Sequence, residues 1–401
     1  MDSQSPENVD QLTTAPWHWW RRNMPVAKEW AYLDHAAVGP LSRPAAEAVR
    51  FFAAQAETQG DTVWPQWSKK LESLRSGFAE LLGASNDEIA LIPNTSSGIN
   101  LVAEGFPWKS GDNVILPEGE FPSNLFPWQN QAPKGVEVRI VPRRGTAVVV
   151  EDLLDQIDDC TRMIALSWVG YASGYRVEIE KLVDAAHQRG VLVFLDAIQG
   201  LGVFDLNVSK IPIDFLAADG HKWLLGPEGL GVAFIRHQHL DLLRVSNVGW
   251  CSVKNTFNYN DPQLELKPTA SRFEPGSANM MGAAALEASL RMFLDVRRAH
   301  GTDAIANRVV GLASQLADRL RDVGARTELP EAGHRSGIVQ FALPGVPASE
   351  FRNRAIEAGC VLSCRGGGVR ASIHAYNDES DIERIIDVAS SFASVSPNAT
   401  S

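Results

Sequence analysis

The segment from residue 191 to 236 contains a lysine and a carboxylate that could act on one small molecule. One β-rich apolar run ends at Asp196, and a second ends at Asp219, directly before the tripeptide Gly-His-Lys at 220–222. In open α/β sheets, ligands bind beyond the carboxyl ends of the strands, so Asp196 and Lys222 can converge on one crevice. Apolar neighbours would lower the pKa of Lys222, and its free amine would then be a nucleophile for a carbonyl group.

Pyridoxal phosphate chemistry needs both of these groups. Its aldehyde forms an imine with a lysine, and a carboxylate keeps its pyridine nitrogen protonated so that the ring accepts electrons from a substrate Cα. Asp196 suits the second role because it is a single acid that closes an apolar run. In the alternative interpretation, Lys222 snorkels to solvent and Asp196 caps a helix, and this segment alone supports the two equally.

A cofactor phosphate would need an anion site, and residues 90–105 could supply it. An apolar strand is followed there by the polar run Asn94–Gly98 and then by an apolar helical stretch. Hydroxyl groups and free backbone N–H groups at a helix N-terminus bind anions. An ordinary capped helix would have the same pattern, so the segment is weak evidence by itself.

The elements that must position these residues alternate between β-rich runs and amphipathic helical stretches. The predicted strands are 88–92, 113–117, 136–141, 162–169, 191–196, 214–219 and 231–236. Most are continuous apolar runs, as burial on both faces of a largely parallel sheet requires. The alternation implies right-handed βαβ units and an α/β domain over about residues 30–270. We also expect Gly83 and Gly190 to end helices and Asp378 to cap the last one.

The pattern changes after Pro275, where long helical stretches precede further strands. Helices are predicted at 282–298, 302–323, 348–358 and 378–393, with strands at 337–343, 361–364 and 369–373. The predicted organisation is an N-terminal arm (1–29), a large domain (30–274), a smaller C-terminal α/β domain (275–396) and a tail (397–401). We expect the tryptophan-rich stretch 16–22 of the arm to pack on a neighbour's apolar surface.

Composition excludes several classes of protein. The 401 residues include 37 Lys and Arg against 48 Asp and Glu, for a net charge of -11, so phosphate backbones are repelled. Four cysteines are too few for a disulfide framework. The N-terminus lacks the features of a signal peptide, and no apolar run approaches the roughly 20 residues that span a bilayer. We expect a cytoplasmic protein that binds neither nucleic acid nor membranes.

Together these motifs resemble the class V aminotransferase family of pyridoxal-phosphate enzymes, which includes cysteine desulfurases and isopenicillin N epimerase-like proteins. The most specific stretch is HKWLLGPEGLG at 221–231, and YLDHAAVGPLS at 32–42 is similar to the family's opening motif. The resemblance covers about residues 30–390. It implies the PLP-dependent transferase fold (fold type I), with a mostly parallel seven-stranded sheet in a large domain and a smaller C-terminal α/β domain. It also implies a homodimer with shared active sites and a small amino-acid-like substrate.

The same resemblance assigns the cofactor-binding residues. Lys222 would form the imine and move protons, Asp196 would face the pyridinium, and Gln199 would contact the ring hydroxyl. The residues assigned to the phosphate are Thr95, Ser96, His221 and, across the dimer, Ser277. Asp219 stands where some relatives have a phosphate-binding serine, and we expect its carboxylate to point away because it would repel the phosphate.

Three further assignments concern the cofactor ring and the substrate. Phe121, in GEFPSNLFPW at 119–128, stands where desulfurases have a histidine; its ring can stack on the pyridine but cannot donate a proton. Arg370, in VRASIHAYN, is assigned to the substrate carboxylate, which an arginine fork binds through two parallel N–H donors. Tyr171 is assigned to the substrate side, about where many relatives have an asparagine that contacts the ring hydroxyl.

The resemblance implies chemistry at the substrate Cα, and transamination is the first expectation because it is the family's broad label. The alternatives are a cysteine desulfurase or selenocysteine lyase, or an epimerase. A desulfurase needs a reactive cysteine on a mobile loop, whereas only residues 365–369 separate Cys364 from Arg370. We therefore expect Cys364 to lie in a strand, where a cysteine is usually inert. An alternative of another class is a cofactor-binding protein without turnover.

Other ligands have weaker support. The glycines at 226–231 precede a strand rather than a helix, unlike the dinucleotide-binding fingerprint of NAD-dependent enzymes. His237 and His239 lack further metal-ligating partners in the sequence, and Cys360 and Cys364 lack a second pair. We expect no metal site.

Overall fold

The computed structural model describes residues 11–393, and their contacts divide the chain into two compact units. The sheet unit consists of Pro44–Trp168 and Val177–Leu294. The terminal unit consists of the described residues up to Arg43, Val169–Arg176 and the described residues from Asp295 onward. These limits differ from the predicted domain limits, and the predicted tail at 397–401 lies outside the described residues.

The helices and strands have the following bounds. The strands are β1 (Ala31–Tyr32), β2 (Ile89–Ile92), β3 (Asn113–Pro117), β4 (Glu137–Val141), β5 (Thr161–Ser167), β6 (Leu192–Asp196), β7 (Phe215–Asp219), β8 (Gly231–Ile235), β9 (Arg326–Glu328), β10 (Ile338–Ala342), β11 (Cys360–Val361), β12 (Ser363–Arg365) and β13 (Gly368–Ser372). The helices are α1 (Pro16–Arg22), α2 (Arg43–Gln59), α3 (Trp64–Leu82), α4 (Thr95–Gly105), α5 (Phe126–Gln129), α6 (Val150–Leu154), α7 (Ile179–His187), α8 (Met280–His300), α9 (Ala304–Asp322), α10 (Ala348–Glu357) and α11 (Glu379–Ala393).

The sheet unit is built on one mostly parallel sheet, as the sequence predicted. Within residues 11–393 this sheet has seven strands in the order β2-β8-β7-β6-β5-β3-β4, and β8 alone runs antiparallel to its neighbours. Every residue of β3, β7 and β8 is buried, because helices or loops cover both faces. Each predicted strand is present, with its ends shifted by at most two residues.

This topology brings the carboxyl ends of five strands to one edge of the sheet. Ile92, Pro117, Ser167, Asp196 and Asp219 are the last residues of β2, β3, β5, β6 and β7. Since these strands run in the same direction, the segments that follow them converge. The predicted lysine, acid, aromatic and hydroxyl residues all belong to these segments or strand ends.

Helix ends follow the predicted chemistry at all three positions. Gly83 ends α3 in the left-handed conformation (φ 61°), and Asp378 caps α11 by accepting a hydrogen bond from Ser380 N at 3.0 Å. The prediction for Gly190 is confirmed, because Gly190 (φ 72°) follows the last turn of α7 in the left-handed conformation. Gly190 N donates to His187 O and Val191 N donates to Ala186 O, each at 3.0 Å, which is the Schellman pattern of a glycine-ended helix.

The terminal unit contains two small sheets around its own apolar core. Strands β12-β13-β10-β9 form an antiparallel sheet, and β1 pairs with β11 in parallel. Helix α1 belongs to this unit: Trp20 is buried and contacts the His374 ring edge-on, while Arg21 donates to Asp381 at 2.7 Å. Trp19 and Trp20 are thus buried within this chain, whereas Trp17 is only half-buried, and packing of the 16–22 stretch on a neighbour stays a prediction.

Among residues 11–393, none of the helices combines the length and the apolar character that crossing a bilayer requires.

Candidate active site

Lys222 lies in a tight turn directly after β7. Gly226 N donates to Gly220 O at 2.9 Å, and Leu225 N donates to Lys222 O at 3.1 Å. Leu225 has φ 55° and is the one non-glycine residue with positive φ within the described chain. A leucine rarely adopts this left-handed conformation, and backbone strain of this kind is concentrated at functional sites.

Asp196 ends the neighbouring strand β6 as a buried carboxyl group. Its Oδ1 accepts a hydrogen bond from Ile198 N at 3.1 Å. Burial raises the pKa of Asp196 to about 6, and the positive charge of Lys222 opposes part of that rise. A protonated ring nitrogen would supply the opposite charge that this carboxylate needs when it is ionised.

Gln199 connects the turn after β6 to the lysine turn. Its Oε1 accepts a hydrogen bond from Trp223 Nε1 at 2.8 Å, and both side chains are buried. Because Trp223 directly follows Lys222, this bond helps to fix the lysine turn beside Asp196. The contact of Gln199 with a ring hydroxyl stays a prediction.

Phe121 faces the lysine amine from the segment after β3. The Nζ atom of Lys222 lies 5.7 Å from the centroid of the Phe121 ring, and 41% of Phe121 is exposed. An aromatic face at that distance can stabilise the ammonium group and can also stack on a planar ring. The structure thus brings Phe121 and Lys222 together, as stacking over a lysine-bound ring requires.

The first turn of α4 has features that fit a phosphate. The Oγ1 atom of Thr95 is buried and has no hydrogen-bond partner among the described residues. Asn94 caps the helix by accepting from Ser97 N at 2.9 Å, and Ser96 Oγ donates to Ser123 Oγ at 2.8 Å. A buried hydroxyl without a partner is costly, and a phosphate oxygen at this helix N-terminus would satisfy it.

Close packing explains why α4 presents its first turn at the strand ends. A Cβ atom at Gly98 would lie 2.7 Å from the Cβ of Ala217 and 2.7 Å from a methyl group of Ile92. The glycine therefore lets α4 lie directly on β2 and β7. This packing places Thr95 at the edge where β7 leads into Lys222.

His221 and Ser277 differ in their surroundings. His221 Nδ1 and Asp219 Oδ1 lie 3.0 Å apart, but the two atoms are not aligned for a hydrogen bond. Ser277 is exposed in the loop before α8. Their phosphate contacts, and the orientation of Asp219 away from a phosphate, stay predictions.

Arg370 is buried on β13 of the terminal unit and has partners there. Its guanidinium donates to Ser363 Oγ at 3.2 Å, to Tyr171 O at 2.8 Å and to Asp34 Oδ1 at 3.1 Å. Burial lowers the pKa of Arg370, whereas the Asp34 carboxylate raises it. The sequence analysis missed Asp34, although it belongs to the 32–42 motif.

A match of this chain to a described protein family identifies the family. Residues 31–385 match the family described as aminotransferase class-V. This chain belongs to the class-V aminotransferase family. The recognition made from the sequence is confirmed, and the chain is a PLP-dependent enzyme with pyridoxal phosphate as its cofactor. The unpartnered Thr95 hydroxyl and the buried Asp196 carboxyl fit that cofactor.

Curated relatives within the class-V family include desulfurases and an epimerase. A probable cysteine desulfurase of Methanothermobacter thermautotrophicus is 28% identical over 385 residues, covering 90% of this chain and 94% of that protein. Isopenicillin N epimerase of Streptomyces clavuligerus is 27% identical over 402 residues, covering 94% of this chain and 98% of that protein. The solved structure of the cysteine desulfurase of Thermococcus onnurineus has a TM-score of 0.84 at 25% identity, covering 98% of this chain and 100% of that protein.

These comparisons confirm the predicted fold and favour one of the reaction types left open. The sheet and the small antiparallel sheet match a PLP-dependent cysteine desulfurase structure. Relatives named for sulfur release support the desulfurase-like alternative more than transamination, which was the first expectation.

Cys364 of this class-V enzyme lies in a closed hairpin. It pairs with Val369 across β12 and β13, and Arg365 pairs with Gly368. The turn consists of Gly366 (φ 59°) and Gly367 (φ 81°). The expectation that Cys364 lies in a strand rather than on a mobile loop is confirmed. Within residues 11–393, no group of three or more His, Cys, Asp or Glu side chains could hold a metal ion.

Proposed function

We propose that this enzyme removes the Cα proton of a sulfur-containing amino acid and releases the sulfur bound to Cβ. The observation that carries the Cα chemistry is Lys222, which faces Phe121 in a strained turn beside the buried Asp196. The desulfurase relatives support sulfur as the leaving group. The closed hairpin around Cys364 favours direct release of the sulfur over its transfer to that thiol.

Lys222 has two tasks in this proposal. Its Nζ would hold the cofactor through its aldehyde and, as a free amine, would take the proton from the substrate Cα as general base. The bound cofactor supplies an electron sink for the pair left at Cα. When the Cβ–S bond breaks, the sulfur leaves with an electron pair and becomes protonated. Phe121 cannot protonate it, so water or Lys222 supplies that proton.

The cofactor is oriented by groups at three strand ends. Asp196 would keep a proton on the pyridine nitrogen, and Phe121, whose ring centroid lies 5.7 Å from Lys222 Nζ, would stack on the cofactor ring. Thr95 and Ser96 bind the phosphate at the N-terminus of α4, where the unpartnered Thr95 hydroxyl supports the assignment. His221 and Gln199 complete the set by the family resemblance.

Arg370 binds the substrate carboxylate in this proposal. Three of its five N–H donors are engaged with Ser363, Tyr171 and Asp34, which leaves two for a carboxylate. Asp34 and the Tyr171 carbonyl hold the fork in one orientation. The family resemblance further supports a homodimer in which the exposed Ser277 serves the neighbouring phosphate.

An epimerase is the second candidate, because the epimerase relative matches 98% of its own length. Epimerisation shares the first step, removal of the Cα proton, and then returns the proton to the opposite face. It leaves the Cβ–S bond intact.

One experiment separates these reactions. The purified enzyme is incubated in deuterated water with cysteine, cystine, selenocysteine and a non-sulfur amino acid, and products are followed by NMR with a sulfide assay. We expect Cα exchange with release of sulfur or selenium. Exchange with formation of the D-isomer and no sulfur release would establish the epimerase, and keto acid formed only with an added acceptor would establish transamination. The absence of exchange from every substrate would overturn the proposal.

A further inference from the structure

Glu120 directly precedes Phe121, and its carboxyl group has three donors at the sheet edge. Its Oε1 accepts from Ser167 N at 2.7 Å. Its Oε2 contacts Ser167 Oγ at 2.5 Å and accepts from Asn124 Nδ2 at 3.0 Å. These contacts join the segment that carries Phe121 to the end of β5.

The partners of Glu120 are themselves fixed by the sheet. Ser167 pairs with Asp196 in the register of β5 and β6. Asn124 Oδ1 accepts from Trp128 Nε1 at 3.1 Å, and the buried Trp128 ring contacts Phe194 of β6 edge-on at 5.5 Å. Glu120 thus anchors the turn between Phe121 and Asn124 to two rigid strands.

The charge of Glu120 is coupled to that of Asp196. The pKa of Glu120 is raised to about 7. Burial of its carboxyl group and the negative charge of Asp196 raise this pKa, whereas its hydrogen bonds to Ser167 and Asn124 lower it. The other charged groups close to this segment are Lys222, which faces Phe121, and Arg143, which packs against Gly119. Part of Glu120 is exposed, so its hydrogen bonds to Ser167 and Asn124 are what hold the carboxyl group at the sheet edge.

We propose that Glu120 is a positioning residue, which fixes the Phe121 ring over Lys222 by tethering the turn between Phe121 and Asn124 to the end of β5. This inference rests on the proposed function, because Phe121 and Asp196 act on the cofactor only there. Glu120 itself touches neither substrate nor cofactor. It acts through Ser167 and through the turn that ends at Asn124.

The positioning is tested by cofactor affinity in Glu120→Ala and Glu120→Gln. The amide keeps an acceptor for Ser167 N and can donate to Ser167 Oγ, and it loses only the acceptor for Asn124 Nδ2. Glu120→Gln should therefore bind pyridoxal phosphate within about threefold of wild type, whereas Glu120→Ala loses roughly tenfold. The control Glu118→Gln, an exposed acid of the same segment, should bind it as wild type does. Equal affinities for Glu120→Ala and wild type would overturn the inference, as would a folded Glu120→Gln as weak as Glu120→Ala. If borohydride fails to fix the cofactor on Lys222 of the wild-type protein, the proposed function fails instead, whatever the affinities of the Glu120 variants.

Discussion

The turn after β7 and the hairpin of β12 and β13 each contain a side chain that could react with a substrate, but their backbones differ. Beside Lys222, a leucine occupies the left-handed region, and a buried acid with a raised pKa ends the next strand. In the hairpin, Gly366 and Gly367 supply the positive φ angles, and Cys364 is paired with Val369. Glycine relieves strain in the hairpin, whereas strain is retained beside Lys222. This contrast supports the proposal that Lys222, rather than Cys364, is the reactive group.

The largest effect is expected for Lys222→Ala. Loss of the nucleophile and base should reduce Cα hydrogen exchange by about 10⁴-fold, as removal of such a group does in covalent catalysis. Exchange is measured by NMR in deuterated water, with Lys210→Ala, an exposed lysine of the sheet unit, as the control. Residual exchange within tenfold of wild type would show that the strained turn is not catalytic.

Removal of the cofactor should reveal how much the buried Asp196 carboxyl group destabilises the folded state. Its pKa is about 6 in the fold against 3.8 ordinarily, so the folded state binds more protons than the unfolded state between these values. The free energy of unfolding of the cofactor-free protein should therefore fall as the pH rises from about 4 to 6, by at most about 3 kcal/mol from this group. Urea unfolding of wild type and Asp196→Asn measures the difference. Equal pH slopes in the two proteins would contradict a raised pKa for this buried acid.

Arg370→Lys should affect substrate binding more than turnover. A lysine cannot supply two parallel N–H donors, so we expect KM to rise by about 10- to 100-fold with kcat within about threefold. Steady-state kinetics measures both, and Arg365→Lys, an exposed arginine of the same hairpin, is the matched control. A fall in kcat without a change in KM would exclude the carboxylate role.

The smallest effect is expected for Cys364→Ser. Because Cys364 is held in the hairpin, sulfur release should stay within about twofold of wild type, as for a conservative change away from the chemistry. The sulfide assay is run beside Cys160→Ser, an exposed cysteine of the sheet unit. A loss of sulfur release greater than tenfold in Cys364→Ser alone would show that this thiol is the sulfur acceptor. It would contradict the contrast drawn between the Lys222 turn and the Cys364 hairpin.

The sequence was sufficient to predict the elements whose hydrophobic pattern lies within one short segment. The strands of the large sheet are continuous apolar runs, so their positions and shared carboxyl edge followed from pattern and topology, and with them the convergence of Lys222 and Asp196. The roles of Thr95 and Phe121 came from the family resemblance. That the N-terminal residues belong to the terminal unit could not be predicted from their own local sequence. Their partners lie far along the chain, as in the pairing of β1 with β11.

Long-range polar contacts were missed for the same reason. The bond between Arg370 and Asp34 joins residues 336 positions apart, and Glu120 finds Ser167 47 positions later. Hydrophobic periodicity carries no information about such pairs. The acid beside Phe121 was visible in the sequence, but only the fold shows that its carboxyl group is hydrogen-bonded to Ser167 at the end of β5.

The most direct measurement is borohydride reduction of the native yellow protein, followed by peptide mass mapping. The cofactor should be fixed on the peptide that contains Lys222, at one equivalent per chain, and Lys222→Ala should remain unlabelled. A colourless protein that stays unlabelled after pyridoxal phosphate is added, or a label on another lysine, would contradict the assignment of Lys222 as the reactive amine.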